Sequence, residues 1–213
     1  MTFTKTFAPS AALAALLAAS ALSAHAANLI KNGSFERPLA PAGSLTCFNT
    51  GQTFVNWTVV GATGNVCVIS GTYTANGFTV EPEAGAQSID LTGYGSNMAT
   101  GVSQTVATTP GAAYQLTFWV GNVVNTGGSD GVTSTVNVLV NGVRVYTATN
   151  SLGAGSSSVV WQKFTATITS LTPQTSIAFI NGDPAGDNYN GLDGITLVAQ
   201  TGDEVPAIEP QEN

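Results

Sequence analysis

The run Val136-Asn137-Val138-Leu139-Val140-Asn141-Gly142-Val143-Arg144-Val145 decides the fold class. Val136, Val138 and Val140 stand at alternate positions, so their side chains share one side of an extended chain. Asn141-Gly142 supplies two residues that tolerate positive φ, as a type I′ turn requires, and Val143 and Val145 resume the alternation beyond it. The spacing predicts a β-hairpin. In both directions from it the same pattern repeats: short β-branched and aromatic runs between Gly, Pro, Asn and Ser, without helical periodicity. Strands are expected at 88–91, 101–106, 113–120, 159–169, 175–180 and 192–198, with turns at Pro110-Gly111 and Thr172-Pro173. A single sheet would leave too many apolar faces uncovered, so the chain reads as an all-β sandwich.

The two ends read differently. Lys5 precedes an Ala/Leu stretch from Ala8 to Leu22, and Ala24-His25-Ala26 is a small-x-small cleavage site, so residues 1–26 are expected to be a signal peptide cut before Ala27. Residues 27–200 are then the sandwich domain. Residues 201–213, acidic and nearly free of large apolar groups, are expected to be a disordered tail. No segment after the leader approaches the roughly 20 apolar residues of a membrane span. A soluble, secreted protein, extracellular or periplasmic, is the expectation.

Composition narrows the function. Beyond the leader the basic residues are Lys31, Arg37, Arg144 and Lys163, against 12 acidic residues. Nucleic acid and anionic lipid are recognised through clusters of Lys and Arg, which this chain lacks. The single histidine, His25, falls in the leader, which removes Ser-His-Asp and Cys-His mechanisms and most zinc sites. With 8% charged residues and abundant Gly, Thr, Ser and Asn, the solvated faces are neutral and polar, a match for sugar hydroxyls. Cys47 and Cys67, 20 positions apart, are expected to form a disulfide, worth about 3 kcal/mol in the chain-entropy model. Two buried thiols or a metal-binding pair are the alternatives.

Several short stretches, taken in order, carry a resemblance: Asn28-Leu29-Ile30-Lys31-Asn32-Gly33-Ser34-Phe35-Glu36, Trp57-Thr58-Val59-Val60, Gln87-Ser88-Ile89-Asp90-Leu91, Ser103-Gln104-Thr105, 110–118 and Leu192-Asp193-Gly194-Ile195-Thr196-Leu197. Together they resemble the family called domain of unknown function 642, which includes secreted bacterial proteins named choice-of-anchor C. The opening and closing stretches are also similar to galactose-binding-like jelly-roll modules that bind xylan or β-glucan. The resemblance spans Asn28 to about Val198. It implies an antiparallel jelly-roll sandwich, secretion, and association with cell-wall or matrix polysaccharide, neutral or pectic. It also implies a structural calcium ion held by Glu36 and Asp193; carboxylates suit that ion, and an antiparallel sandwich can bring first and last strands together. The sorting tag common in bacterial relatives does not follow Val205-Pro206.

Parity sorts the candidate ligand contacts. Tyr114, Leu116, Phe118 and Val120 share one face of their strand, leaving Gln115, Thr117 and Trp119 on the other, where an indole among polar side chains suits stacking on a sugar. Trp161 is in phase with Lys163 and Thr165, opposite Phe164, and is a second candidate. Asp90 lies out of phase with Ile89 and Leu91, so it is placed facing outward, while Asn122 and Tyr189 are placed in loops lining a cleft. Trp57 is assigned to the core. The expected function is non-catalytic carbohydrate binding. The alternatives are a structural or adhesive matrix protein, and a glycosidase or lyase, for which Glu81 and Glu83, flanking Pro82 in a loop, are a poor pair.

Overall fold

The computed structural model describes residues 27–186 and 188–200; the expected signal peptide and acidic tail lie outside the described residues. Among the described residues fourteen strands follow one another with no helix between them: β1 (Leu45–Asn49), β2 (Thr53–Phe54), β3 (Trp57–Gly61), β4 (Asn65–Ser70), β5 (Thr74–Ala75), β6 (Phe78–Thr79), β7 (Gln87–Asp90), β8 (Thr100–Ala107), β9 (Ala113–Asn122), β10 (Ser134–Val140), β11 (Val143–Asn150), β12 (Val160–Thr169), β13 (Gln174–Asn181) and β14 (Gly191–Ala199). Sheet A has the order β1-β4-β7-β14-β9-β12 and sheet B the order β11-β10-β13-β8-β3-β2; β5 and β6 form a separate hairpin. All the strand pairings are antiparallel, and the architecture is the expected jelly-roll sandwich.

Between the sheets lie the residues that the alternation turns inward. Sheet A contributes Val66, Val68, Ile89, Leu91, Leu116, Phe118, Val120, Leu192 and Leu197; sheet B contributes Trp57, Val59, Val102, Val136, Val138, Ile177 and Phe179. Phe118 stands at the centre, its ring 5.2 Å from Phe179 and 5.9 Å from Phe164. Trp57 is a core residue, and its indole N–H donates to the Asn32 carbonyl at 2.9 Å.

The opening hairpin forms as its sequence predicts: Val140 pairs with Val143, and Asn141 (φ 48°) and Gly142 (φ 83°) both take positive φ. Its second strand departs from the expectation. A β-bulge between Val138 and Leu139 pairs Val138 with Tyr146 and Leu139 with Arg144, so Val145 is the extra residue. The bulge reverses the phase. Val143 and Val145 face solvent, and Tyr146 and Ala148 pack on the core.

The family-like stretches are the joinery. Leu29 N donates to Leu197 O and Ile195 N to Gly33 O, so the opening stretch lies along β14. Gly33 has to be glycine, because a Cβ there would lie 2.1 Å from the Ile195 carbonyl. Gln104 accepts from Lys31 N at 2.8 Å and donates to Lys31 O at 2.9 Å. Gln87 accepts from Ala40 N at 2.9 Å and donates to the carbonyls of Phe35 and Pro38. Each amide replaces a strand neighbour for backbone that has none. Among the described residues no helix is long and apolar enough to cross a membrane.

Candidate functional site

One row of residues crosses the outer face of sheet A through six strands: Cys47, Cys67, Asp90, Gly191, Gly121 and Trp161, each in register with the next. Cys47 and Cys67 are bonded as a disulfide, with Cα atoms 4.0 Å apart. Over this end of the row arches the β5–β6 hairpin, turning at Asn76 (φ 50°) and Gly77 (φ 85°). Thr79 bridges to Ser158, which ties the hairpin to the chain before β12. Beneath it Phe78, Val80 and Tyr73 pack with Cys67, Ile69, Tyr189 and Trp161 in a second apolar cluster, outside the sandwich core.

The hairpin, the loop after β7, the β9–β10 loop and the approach to β14 together enclose a cavity of about 280 Å³. Its aromatic lining is Tyr73, Phe78, Tyr94 and Tyr189, and its polar lining is Asn76, Asp90, Asp130 and Asn188. Tyr94, a residue 71% exposed, stands at the rim on a backbone held from both sides: Tyr94 N donates to Asn65 Oδ1 at 2.8 Å and Asn65 Nδ2 donates to Tyr94 O at 3.1 Å. The Asn76 amide reaches across to the Asp130 carboxylate at 3.3 Å.

Asp90 is 5% exposed. Its Oδ1 accepts from Thr92 N (2.9 Å), Thr92 Oγ1 (2.9 Å) and Asn190 N (3.0 Å), so it also stitches the end of β7 to the start of β14. Burial raises its pKa to about 7 against these stabilising bonds, with a further push from the Asp130 charge. Tyr189 is 3% exposed, its hydroxyl buried against Gly191 and beside the Ser88 hydroxyl. Burial, then the charges of Asp90 and Asp193, raise the phenol well above its ordinary range, and the Ser88 hydroxyl beside it opposes them.

The structure divides the residues singled out from sequence. Asp90 and Tyr189 line the cavity; Tyr189 does so from within packed structure rather than from an open loop. Gln115, Thr117 and Trp119 do share the outer face of β9, in a separate strip where Thr117 pairs with Thr165 and Thr196, and Trp119 with Lys163 and Asp193. Gln115 is exposed, Thr117 and Trp119 half-buried. Trp161 is half-buried and lies over Gly121 and Gly191, its indole N–H donating to Glu81 O at 2.9 Å, so it closes the apolar cluster rather than standing free. Asn122, expected in a cleft, is the last residue of β9 and fully buried: its amide donates to Ser134 Oγ and accepts from Gly153 N.

Glu36 and Asp193, expected to hold calcium, come to the same loop from opposite sides. Asp193 accepts from the backbone N–H groups of Glu83, Ala84 and Gly194, and Glu36 from those of Ala86 and Gln87. Burial, with the Glu83 charge adding, raises Asp193 to about 7. This donor set does not fit calcium, which takes about 6–8 oxygen ligands, because peptide N–H dipoles present their positive ends where the cation would sit. Among the described residues no group of three or more His, Cys, Asp or Glu could hold a metal ion.

The residues that sequence reading passed over are Tyr73, Asn76, Phe78, Tyr94, Asp130 and Asn188. One signal was present: Asn76-Gly77 is the same turn dipeptide as Asn141-Gly142. A larger and more open groove, about 570 Å³, crosses the outer face of sheet B beside Lys31, Thr58, Ser103 and Thr105. No aromatic ring lines it, so it offers nothing for a sugar ring to stack on.

The family model of DUF642, described as a protein of unknown function, matches residues 28–191. No curated protein matches the chain. Among solved structures, an apo cyclase from Fischerella sp. is 20% identical, covering 84% of this chain and 98% of its own, with a TM-score of 0.57. A Stig cyclase from Fischerella sp. TAU, solved with an indole compound, is 18% identical, covering 83% of this chain and 98% of its own, with a TM-score of 0.56. Likeness at these identities is one of fold. A family 35 carbohydrate-binding module from an environmental isolate overlaps 49% of this chain and 67% of its own, at 13% identity and a TM-score of 0.36.

Proposed function

The chain belongs to the DUF642 family, and we propose that this member is a secreted protein that binds polysaccharide, without reacting it, in the cavity on the outer face of sheet A. The observation that carries the reading is Tyr94. It stands on a clamped backbone at the mouth of a cavity with further rings and side-chain amides, where its exposed side chain offers a ligand an apolar surface beside hydrogen-bonding groups. A sugar offers the complement, an apolar C–H face for the ring and hydroxyls for Asn76, Asn188 and the carboxylates. The volume is just below the roughly 300–1,000 Å³ usual for ligand pockets and suits one sugar ring at a time. Asp90 is bound up with Thr92 and Asn190, which supports a role as a wall rather than as a proton carrier.

Affinity electrophoresis against xylan, β-glucan and pectin tests this. At least one gel is expected to retard the protein, and Tyr94→Ala to weaken retention about tenfold. Retardation by none, or release of reducing ends, contradicts the proposal. A second reading, adhesion between chains, draws on β11, an edge strand that presents Val143 and Val145 to solvent. Concentration-dependent self-association indifferent to sugar would favour it.

A further inference from the structure

The lining of the cavity on sheet A changes character with depth. Its floor is apolar: Cys67 and Ile69 from β4, Phe78 from β6 and Val80 just after it are all buried, and half-buried Leu45 of β1 lies in register with Ile69. The Tyr189 ring backs this floor, edge-on to Phe78 with centroids 6.0 Å apart. The side chains that reach water, Asn76, Tyr94 and Asn188, stand at the rim. Two polar groups lie deeper, and the protein itself engages both. Asp90 accepts from Thr92 and Asn190, and Asp130 accepts from the Asn76 amide. Ile69, Phe78, Val80 and the bonded sulfur of Cys67 give a ligand contact area, but no donor and no acceptor stronger than sulfur.

That gradient bears on which sugar fits. A hydroxyl pressed against the floor gives up its water without gaining a partner, whereas a methyl there gains by leaving water. Around a hexopyranose ring the secondary positions carry hydroxyls; the exocyclic carbon is met either as hydroxymethyl or, in the 6-deoxy sugars, as a bare methyl. An acetyl methyl would bring its carbonyl oxygen to the same surface and leave it unpaired. Resting on the carbohydrate reading above, we infer that this cavity selects a 6-deoxyhexose, with the methyl seated on Ile69, Phe78 and Val80 and the ring hydroxyls turned toward Asn76, Asn188 and water at the rim. No bond is made or broken.

Calorimetry on the full chain reads the inference directly when methyl glycosides are compared in pairs that differ only at C6: D-fucose with D-galactose, L-rhamnose with L-mannose, and 6-deoxy-D-glucose with D-glucose. Cyclohexanol serves as an apolar ring without the sugar's hydroxyl pattern. In the pair whose ring stereochemistry the cavity accepts, the 6-deoxy member is expected to bind about tenfold more tightly. Ile69→Thr, which puts a hydroxyl on the floor, is expected to cut that ratio about threefold, and an unchanged ratio in the folded variant overturns the placement of the methyl. Because Ile69 is buried and its variant can fail to fold, Tyr94→Ala at the exposed rim is the second probe: it is expected to weaken both members of the pair alike and keep their ratio, and loss of the ratio overturns the inference. Equal binding within every pair, or tighter binding of the hydroxymethyl sugars, overturns the 6-deoxy inference and leaves carbohydrate binding standing. Cyclohexanol binding as tightly as the 6-deoxy glycoside overturns it in favour of a plain apolar cavity. Binding of no glycoside by the folded chain overturns both readings.

Discussion

The two faces of sheet A are made by the same strands and obey different rules. Its inner face is a continuous apolar surface, with Val68, Ile89, Leu192 and Phe118 buried against sheet B. Its outer face carries a disulfide, Asp90, two glycines and an indole in a single row, covered at one end by the β5–β6 hairpin and half open along β9. The inner face stabilises the fold through packing alone, whereas the outer face gathers polar and aromatic groups that burial has made costly. That difference can be tested.

The largest expected effect is on the inner face. Phe118→Ala should cost about 3–5 kcal/mol in denaturant unfolding, while Thr117→Ala, one residue away on the outer face, should stay within about 0.5 kcal/mol. Comparable losses from the two would erase the distinction.

The outer face should show itself next, through pH. Asp90 has an ordinary value of 3.8 and is raised to about 7, so the folded chain holds its proton more tightly than the unfolded chain. Between about pH 4 and pH 7 the folded state therefore binds more protons, and the unfolding free energy falls as pH rises through this window, levelling off above it. For a wholly buried carboxyl the loss is at most about 4 kcal/mol. Asp193 adds in the same direction, and Asp130 and Tyr189 are the other titratable groups around Asp90. Asp90→Asn should flatten the slope in part. A wild-type stability that rises with pH across this window would contradict the account.

A smaller effect concerns the indole. A methyl on Gly121 would lie 2.8 Å from the Trp161 ring. Gly121→Ala should therefore displace Trp161, costing about 1–3 kcal/mol and red-shifting tryptophan fluorescence as the ring moves toward water. The smallest concerns metal: because backbone N–H groups occupy Glu36 and Asp193, a chelator should leave the melting temperature unchanged. A drop would restore the calcium expectation.

The inner face was legible because alternation alone specifies it. Leu116, Phe118 and Val120 could be assigned to the core without knowing their neighbours, and the outward phase of Trp119, Trp161 and Asp90 followed from the same parity. What parity cannot supply is what covers the outer side. Asp90 faces outward and is nonetheless buried, because a hairpin of two-residue strands, too short to register as strands in sequence, folds over it. Asn122 looked like a loop residue because a strand end and a loop share the same polar composition. The bulge in the β10–β11 hairpin escaped notice for a related reason: one unpaired residue reverses every side chain beyond it, and no residue type announces it. The family-like stretches turned out to be clamps such as Gln87 and Gln104, whereas most of the cavity residues, Tyr73, Asn76, Tyr94 and Asp130 among them, lie outside those stretches.

Amide chemical-shift mapping during titration with a retained sugar tests ligand binding in the cavity most directly. The predicted result is movement of Asn76, Gly93, Tyr94, Gly95 and Asn188, with Gln115, Thr117 and the 103–107 segment of sheet B still. Movement along Gln115, Thr117 and Trp119 with the cavity silent would contradict it.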